Sequence, residues 1–469
     1  MNQPVKPSAF TPEAFDHERG FVVKPEARPD DFDAKAPYID NGTGTFNSDR
    51  YFSKEYAERE WERVWTKVWL IAGPVSDLRE AGDFFTFDVG RESILVVKGQ
   101  DDKIRAFYNV CPHRGMRLVH SDFGSVSQGF SCIYHAWSFG LNGDLAHIPD
   151  RETFRKEVVC HNPGLTEIAC ETRIGLIFIT MNENPSDLDE FLGDFGARMG
   201  HYEIDKMVTI RQTRTEIEAN WKTGLDGFIE PYHFVAIHPQ ALTFIDDYHI
   251  QQDLFPGGIS RMIIKQMFPS YRLADRDQFN DHFKMAMQDV HLDPDVFDGS
   301  PEEVRIAAQT SKRAKAEELG RDYSAFTDTQ VTDSITYSVF PNAGVGCHPE
   351  AIIMARFLPH ATDPQRMYWD HITLYRPVKN ADNSYAVPGF MDVKPGTDLS
   401  GETRPDIARF APGDKLEMGL LFEQDAELLP LQQLGVRSRG FKGPLFGEQE
   451  LRVRHYHTEL DRYMNGEKG

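Results

Sequence analysis

Cys111-Pro112-His113 and, after a gap of eighteen residues, Cys132-Ile133-Tyr134-His135 constrain this chain more than any other feature. Each segment pairs one thiol with one imidazole at a spacing that suits a tight turn. In C-x-H, alternate residues of the turn point to the same side, and C-x-x-H lets two ligands share one metal. If both segments serve one centre, the fold has to bring two hairpin tips together and hold them there. Loops projecting from a rigid β framework do this, because the sheet fixes where each tip stands.

Two thiolates on one iron and two neutral imidazoles on a second make a 2Fe-2S cluster of the Rieske type. Imidazole in place of thiolate raises its reduction potential above that of an all-Cys cluster. A structural zinc site is the competing reading, but it is tetrahedral and closed, and a finger groups its Cys at one end and its His at the other. Here each half carries one of each. Gly115 suits a strained tip, Arg114 and Tyr134 are positioned in sequence to donate hydrogen bonds near the sulfurs, and Trp137 to shield the centre from water. Ordinary turn and core roles compete for all four.

A chain of 469 residues has ample length to bury a core and suggests two or three domains. It has no run of about 18 apolar residues and no apolar signal-peptide core, so a cytoplasmic protein without a membrane span is expected. The remaining cysteines, Cys160, Cys170 and Cys347, show no disulfide framework, which fits a reducing compartment, and they read as small buried hydrophobes. A formal net charge of -22 opposes phosphate binding, so nucleic acid is not an expected partner.

Residues 1–50, rich in Pro, Asp and Gly, read as an extended arm wrapping another part of the structure or another subunit. Ser53 can cap a helix to about Trp69, with Trp61, Val64, Trp65 and Val68 on one buried face. From residue 83 the texture becomes that of short antiparallel strands, at 83–89, 92–98 and 104–110, and 175–181 closes the module. Residues 182–187 read as a linker. The expected domains are therefore 1–50 (arm), 51–184 (cluster domain with its leading helix) and 185–469 (a second domain).

The second domain opens on Asn220-Trp221-Lys222, then Asp226, Glu230, Tyr232, His233 and His238. Two His five apart can face one metal, although they miss the i, i+4 helical spacing, so a helix end or bulge is expected between them. A distant carboxylate would complete a 2-His-1-carboxylate triad, which suits Fe(II) and leaves open positions. A pair at this spacing taken alone is more often structural. Strands are expected at 258–268, 333–340, 351–358 and 367–375. Ser300-Pro301-Glu302-Glu303 opens a charged helix ending before Gly320, on the exterior or in a lid. The fold class is thus α+β: an N-terminal all-β Rieske 2Fe-2S domain followed by an antiparallel-sheet catalytic domain flanked by helices.

Taken together, these motifs over residues 51–465 resemble the large, catalytic subunit of Rieske non-haem iron oxygenases of the aromatic-ring-hydroxylating class. The gap between the two ligand pairs is slightly longer than usual, and the extra residue falls in loop 124–129. The resemblance implies that Cys111, His113, Cys132 and His135 hold the cluster and that His233 and His238 bind the mononuclear iron. It also implies that Glu230 links a cluster His of one subunit to an iron His of its neighbour in a homotrimer, with or without a small β subunit. The third ligand is expected on a late helix ahead of Gln432-Gln433-Leu434-Gly435. There the spacing favours Asp425 over Glu423 and Glu427, and a solvated acidic helix face is the alternative. Asp226 is expected to support the iron His ligands or a proton path rather than to bind metal.

The resemblance also implies that NAD(P)H electrons arrive only indirectly, through a flavin reductase or ferredoxin. The chain has no Gly-x-Gly-x-x-Gly after a strand, which fits. Oxygen and an apolar aromatic or alicyclic substrate would then meet at Fe(II), with Phe228, Phe234, Val235, Ile237 and Phe340 as candidate walls. An O- or N-demethylase or quaternary-amine oxygenase is the alternative substrate reading. A non-catalytic electron carrier or zinc protein is the alternative of a different class.

Overall fold

The computed structural model describes residues 15–161, 163–377 and 397–469. Ser53 caps the lead helix Lys54–Glu60 by accepting from the Tyr56 N–H, and the chain continues in a wider π turn, Trp61–Trp65. Trp61, Val64, Trp65 and Val68 are all buried, as the spacing requires. The helix stops short of the expected Trp69. Trp69 already belongs to the approach to the strand Leu70–Pro74, with its Nε1 donating to the Ser186 carbonyl.

The cluster domain is a seven-stranded antiparallel sheet in the order Leu70–Pro74, Leu176–Thr180, Glu167–Arg173, Ile104–Tyr108, Glu92–Lys98, Asp83–Val89 and Phe123–Ser125. A small three-stranded sheet beside it is built from Phe130–Ser131, Ser138–Phe139 and Leu145–His147. The partial apolar alternation of 83–89 and the apolar run within 92–98 mark both strands at the bounds expected. The strand from 104 ends at Tyr108 rather than 110, since Val110 already turns back to bridge Arg117.

The second sheet has eight strands in the order Gln251–Phe255, Ile259–Ile264, Ser334–Val339, Ala343–His348, Ala351–Pro359, Met367–Tyr375, Val208–Ile217 and Ala408–Phe410. Its edge pair is parallel, so the sheet is mixed rather than purely antiparallel. Ala343–His348 escaped the sequence reading because its residues are mostly small. Smallness has a use at Gly344, where a Cβ would collide with the Phe228 ring. One face of the sheet packs Phe357 and Trp369 against Trp221, Leu225, Leu429 and Tyr456 from three helices. The other buries Ile352, Met354 and Ile372 against Leu188, Leu192 and Phe195.

Within residues 15–50, Val23, Lys35 and Ala36 bond to the edge strand Gln251–Phe255 of the same chain, while Asn41, Thr45 and Arg50 bond to the C-terminal segment. Arg261 donates to the carbonyls of Phe32 and Ala34 and to Asp253, and the Ala36 N–H donates to Asp253 at 2.8 Å. Such cover removes an open edge. The part of the expected arm at 1–14 lies outside the described residues. Ser300 and Glu303 form the expected capping box, and the helix Val304–Leu319 ends at Gly320 in a left-handed conformation. It is no free lid: Arg305 pairs with Asp333 and Lys312 with Glu350, anchoring it to the sheet. Of the three spare cysteines only Cys347 is buried; Cys170 is half-buried and Cys160 exposed, so the shared apolar role does not hold.

The segment Asn220-Trp221-Lys222 proves to be a tie. Asn220 caps the helix Trp221–Phe228 and donates to the Pro364 carbonyl, while Trp221 Nε1 and Lys222 Nζ donate to the two oxygens of Glu60 at 2.9 and 2.7 Å. The ion pair is fully buried, where loss of one partner costs about 3–5 kcal/mol. A second tie is Arg356, which holds Asp370 and reaches across to the carbonyls of Ile71 and Ala72 in the cluster domain. Among the described residues no helix is long and apolar enough to cross a membrane.

Candidate metal centres

The two Cys/His loops have the same local bonding. The Cys111 N–H donates to Met116 O at 2.8 Å and the Gly115 N–H to Cys111 O at 3.0 Å. The Cys132 N–H donates to Trp137 O at 2.8 Å and the Ala136 N–H to Cys132 O at 2.9 Å. Gly115 and Ala136 both take positive φ, 74° and 53°, so each tip curls tightly enough to place its Cys inside and its His at the rim. Both thiols are buried and lie beside one another. Burial pushes the Cys111 thiol up, while the backbone N–H groups of His113 and Arg114 favour its thiolate. The His113 and His135 rings stand 4.6 Å apart at 71°, and burial lowers the pKa of His113, with help from His135 and Arg114.

Thiols side by side and imidazoles side by side suit a two-iron cluster. His135 Nδ1 is buried without a hydrogen-bond partner, as a ligand nitrogen should be before its metal binds. Among the described residues, a second group of donors converges on one point at His233, His238 and Asp425. Trp137 is buried and stacks on His113 at 4.7 Å. The Arg114 guanidinium packs over the Tyr134 ring, 5.1 Å from its centroid, so cation–π contact is the role the structure gives this pair.

The second centre begins where the helix Trp221–Phe228 ends. Glu230 accepts from the backbone N–H groups of Tyr232 and His233, bending the chain into the short helix Phe234–Ile237 and setting His233 and His238 at its two ends. The same carboxylate accepts from His233 Nδ1 at 2.6 Å. A carboxylate only accepts, so the proton sits on Nδ1 and the Nε2 lone pair faces inward. His238 is fixed in the same way, with Nδ1 2.9 Å from Gln424 Oε1. Both Nε2 atoms then approach Asp425 Oδ1, at 3.6 Å from His233 and 3.0 Å from His238. His233 Nε2 has no hydrogen-bond partner, and the chemistry of this donor set is that of a facial triad. Burial opposes charge on His233, yet Glu230 and Asp425 outweigh it and raise its pKa.

Of the competing carboxylates, Glu423 turns back to accept from the Met418 and Gly419 N–H groups at the start of its own helix, Leu420–Val436. Glu427 is exposed. Asp226 does not support either His. Tyr51 Oη donates to it at 2.6 Å, and His457 Nε2 lies 3.0 Å away, its Nδ1 accepting from Arg50. The reason is geometric: Asp226 sits a full turn before Glu230, on the side facing the C-terminal helix Leu451–Met464. Gln424, Tyr51 and His457 escaped the sequence reading. Gln424 carried only its adjacency to Asp425 as a signal, and the other two carried none. Replacing Gln424 by Leu is expected to cost about 10- to 100-fold in affinity for iron, measured by competitive chelation, with the cluster spectrum unchanged.

A cavity of about 270 Å³ opens on His233 and Asp425 of this triad. Its polar wall includes Asp226, Glu230, Asp425 and Glu450 together with Tyr51, His233 and Gln432, and its apolar wall includes Phe228, Ile237 and Trp369. Phe234 instead packs beside Met262 and Ile264, Val235 does not line the cavity, and Phe340 stacks on Tyr463 in the core.

Comparison with known proteins agrees with this architecture. The family model described as the ring hydroxylating alpha subunit, catalytic domain, matches residues 204–466, and the Rieske [2Fe-2S] domain matches residues 68–162. The chain belongs to this family, the large subunits of Rieske non-haem iron oxygenases, whose cofactors are the 2Fe-2S cluster and the mononuclear iron.

Among individual relatives, the carnitine monooxygenase oxygenase subunit of Acinetobacter pittii (strain PHEA-2) is 34% identical over 219 residues, covering 46% of this chain and 57% of the relative. The glycine betaine monooxygenase oxygenase subunit of Pseudomonas aeruginosa (strain UCBPP-PA14) is 33% identical over 189 residues, covering 40% and 42%. The chain thus spans about half the length of the curated relatives it matches. A quaternary ammonium Rieske monooxygenase solved with L-carnitine superimposes with a TM-score of 0.62 at 19% identity, covering 89% of this chain and 95% of that one. Naphthalene 1,2-dioxygenase from Rhodococcus sp. bound to indole gives 0.59 at 18%, covering 91% and 95%. Both show the shared fold.

Proposed function

We propose that this chain is the oxygenase component of a quaternary-amine monooxygenase that draws electrons from a separate reductase. The observation that carries the reading is the cavity beside the triad: four carboxylates and several aromatic rings line it, with no Lys or Arg among its lining residues. A divalent iron would offset two of the four negative charges and leave the wall anionic. Glu450 registers that field, since burial and the neighbouring Glu230 and Asp226 raise its pKa. A permanently cationic head between carboxylates and ring faces gains both charge and cation–π attraction. An apolar arene, the substrate first expected, would add no counter-charge to that anionic wall. The named activities of the two sequence relatives point the same way.

In this reading Cys111 and Cys132 hold one iron of the cluster and His113 and His135 the other, while His233, His238 and Asp425 hold the mononuclear iron. When bound, the cluster supplies single electrons and the mononuclear iron supplies the site of oxygen chemistry. Glu230 and Gln424 hold the two imidazole protons on Nδ1, and Trp137 keeps water from His113. A bare electron carrier has no use for the triad.

We also assign a homotrimer in which one subunit's cluster tip meets the next subunit's Glu230. The tip exposes Ile133 (69%) and Tyr134 (52%) beside Arg114, and the catalytic domain exposes Leu431 and Leu434 near the acidic mouth. Apolar and charge complementarity support that pairing.

The test is oxygen consumption by the reductase-coupled, iron-loaded enzyme with carnitine, glycine betaine, naphthalene and indole. Stimulation about tenfold or more greater by a quaternary amine is expected, a difference of about 1.4 kcal/mol in barrier. Stimulation by the arenes alone would sink the reading.

A further inference from the structure

The sheet floor beneath the helix Leu420–Val436 carries a polar spot that neither metal centre uses. His371 is 1% exposed, and neither of its ring nitrogens has a hydrogen-bond partner among the described residues. Directly across the strand pair stands Thr213, whose Oγ1 is likewise buried and unpartnered. On the other side His371 faces Ala355. Buried imidazole and hydroxyl groups are costly unless they are satisfied, so three such atoms together need a partner.

The spot belongs to the iron side of the sheet. The His371 ring lies 4.5 Å from that of Phe422, and Phe422 precedes Asp425 by three residues, about 4.5 Å of helix rise. Two residues along the same strand, about 7 Å away, stands Trp369, which lines the cavity and whose own Nε1 is unpartnered. Arg211, anchored to the Glu417 carbonyl, brings positive charge close to His371. The electrostatic character therefore reverses along the floor, from carboxylates beside the triad to an imidazole, a hydroxyl and a guanidinium at this end.

We propose that His371 and Thr213 are specificity-determining residues that hydrogen-bond the carboxylate of a zwitterionic quaternary amine, while its ammonium end lies in the acidic cavity beside the triad. This inference rests on the quaternary-amine reading. A neutral imidazole offers one N–H and threonine one O–H, two donors for the two oxygens of a carboxylate, and Arg211 supplies the longer-range attraction.

The test is isothermal titration of the holoenzyme with glycine betaine and with choline, which keeps the trimethylammonium head and carries a hydroxyl in place of the carboxylate. His371→Leu is expected to raise the Kd for glycine betaine about tenfold or more and that for choline less than about twofold, and Thr213→Val to show the same selectivity with a smaller rise. The cluster spectrum and iron content serve as the folding control. Should His371→Leu lose them, the selectivity is read from Thr213→Val and His371→Gln. An equal loss for both ligands, or none for either, overturns the assignment while leaving the quaternary-amine reading standing. Failure of the wild-type protein to bind either ligand overturns the assignment, whereas the quaternary-amine reading falls only if carnitine and glycine betaine also fail to stimulate oxygen consumption.

Discussion

His233→Ala protein is expected to keep its cluster spectrum, bind no mononuclear iron and show no detectable oxygenation. The two donor sets are structurally independent: the cluster loops are closed by their own backbone hydrogen bonds, and none of those runs through residue 233. At the triad the reverse holds, because His233 Nε2 and His238 Nε2 converge on a single carboxylate oxygen. With one imidazole gone, two donors remain where a facial site needs three. Iron and acid-labile sulfide analysis together with EPR of the reduced protein decides the matter. Loss of the cluster signal in this variant would count against two separate centres.

The second large effect is expected at Glu230. Glu230→Ala should retain both metals yet slow reoxidation of the reduced cluster in single turnover by about 10- to 100-fold. Its carboxylate fixes the tautomer and orientation of His233 and, in the proposed trimer, is the group placed to meet a neighbour's cluster imidazole. Glu230→Gln keeps an acceptor for Nδ1–H and loses the charge, so it should fall between wild type and Ala. The comparison separates orientation from charge. Unaltered single-turnover kinetics in the Ala variant would remove Glu230 from the electron path.

Residues with fixed chemistry were the legible part of this chain. Two Cys, two His and a spacing announced the first centre, and the structure sets the thiols and the imidazoles in facing pairs. The strands 83–89, 92–98 and 367–375 were legible because partial alternation in the first, a short apolar run in the second and β-forming composition in the third are local properties of the strand itself. Asp425 was singled out only through the resemblance, since Glu423 and Glu427 offer the same chemistry two residues to either side, and the geometry alone shows Glu423 spent on capping. Gln424 and His457 were illegible for a different reason. Their roles come from long-range approach, across 186 residues in one case and 231 in the other, which no local pattern records. Of the two roles expected for Asp226, direct support of the iron His ligands is not seen, because its side chain turns to Tyr51 and His457, a direction that helical spacing does not record. Gly344 shows the same limit: its lack of a side chain is explained by an aromatic ring more than a hundred residues earlier in the chain.

The contacts of Asp226 also decide which carboxylates are left to face the cavity as free charges. With Tyr51 Oη donating to it at 2.6 Å and His457 Nε2 3.0 Å away, Asp226 is clamped between the segment ahead of the lead helix and the C-terminal helix. Because Asp226 also lines the cavity, loosening that clamp from either side would release a second carboxylate within the space that His233 and Asp425 share. Two distant segments of the chain thus act as the insulation of the metal site, keeping a neighbouring charge occupied elsewhere.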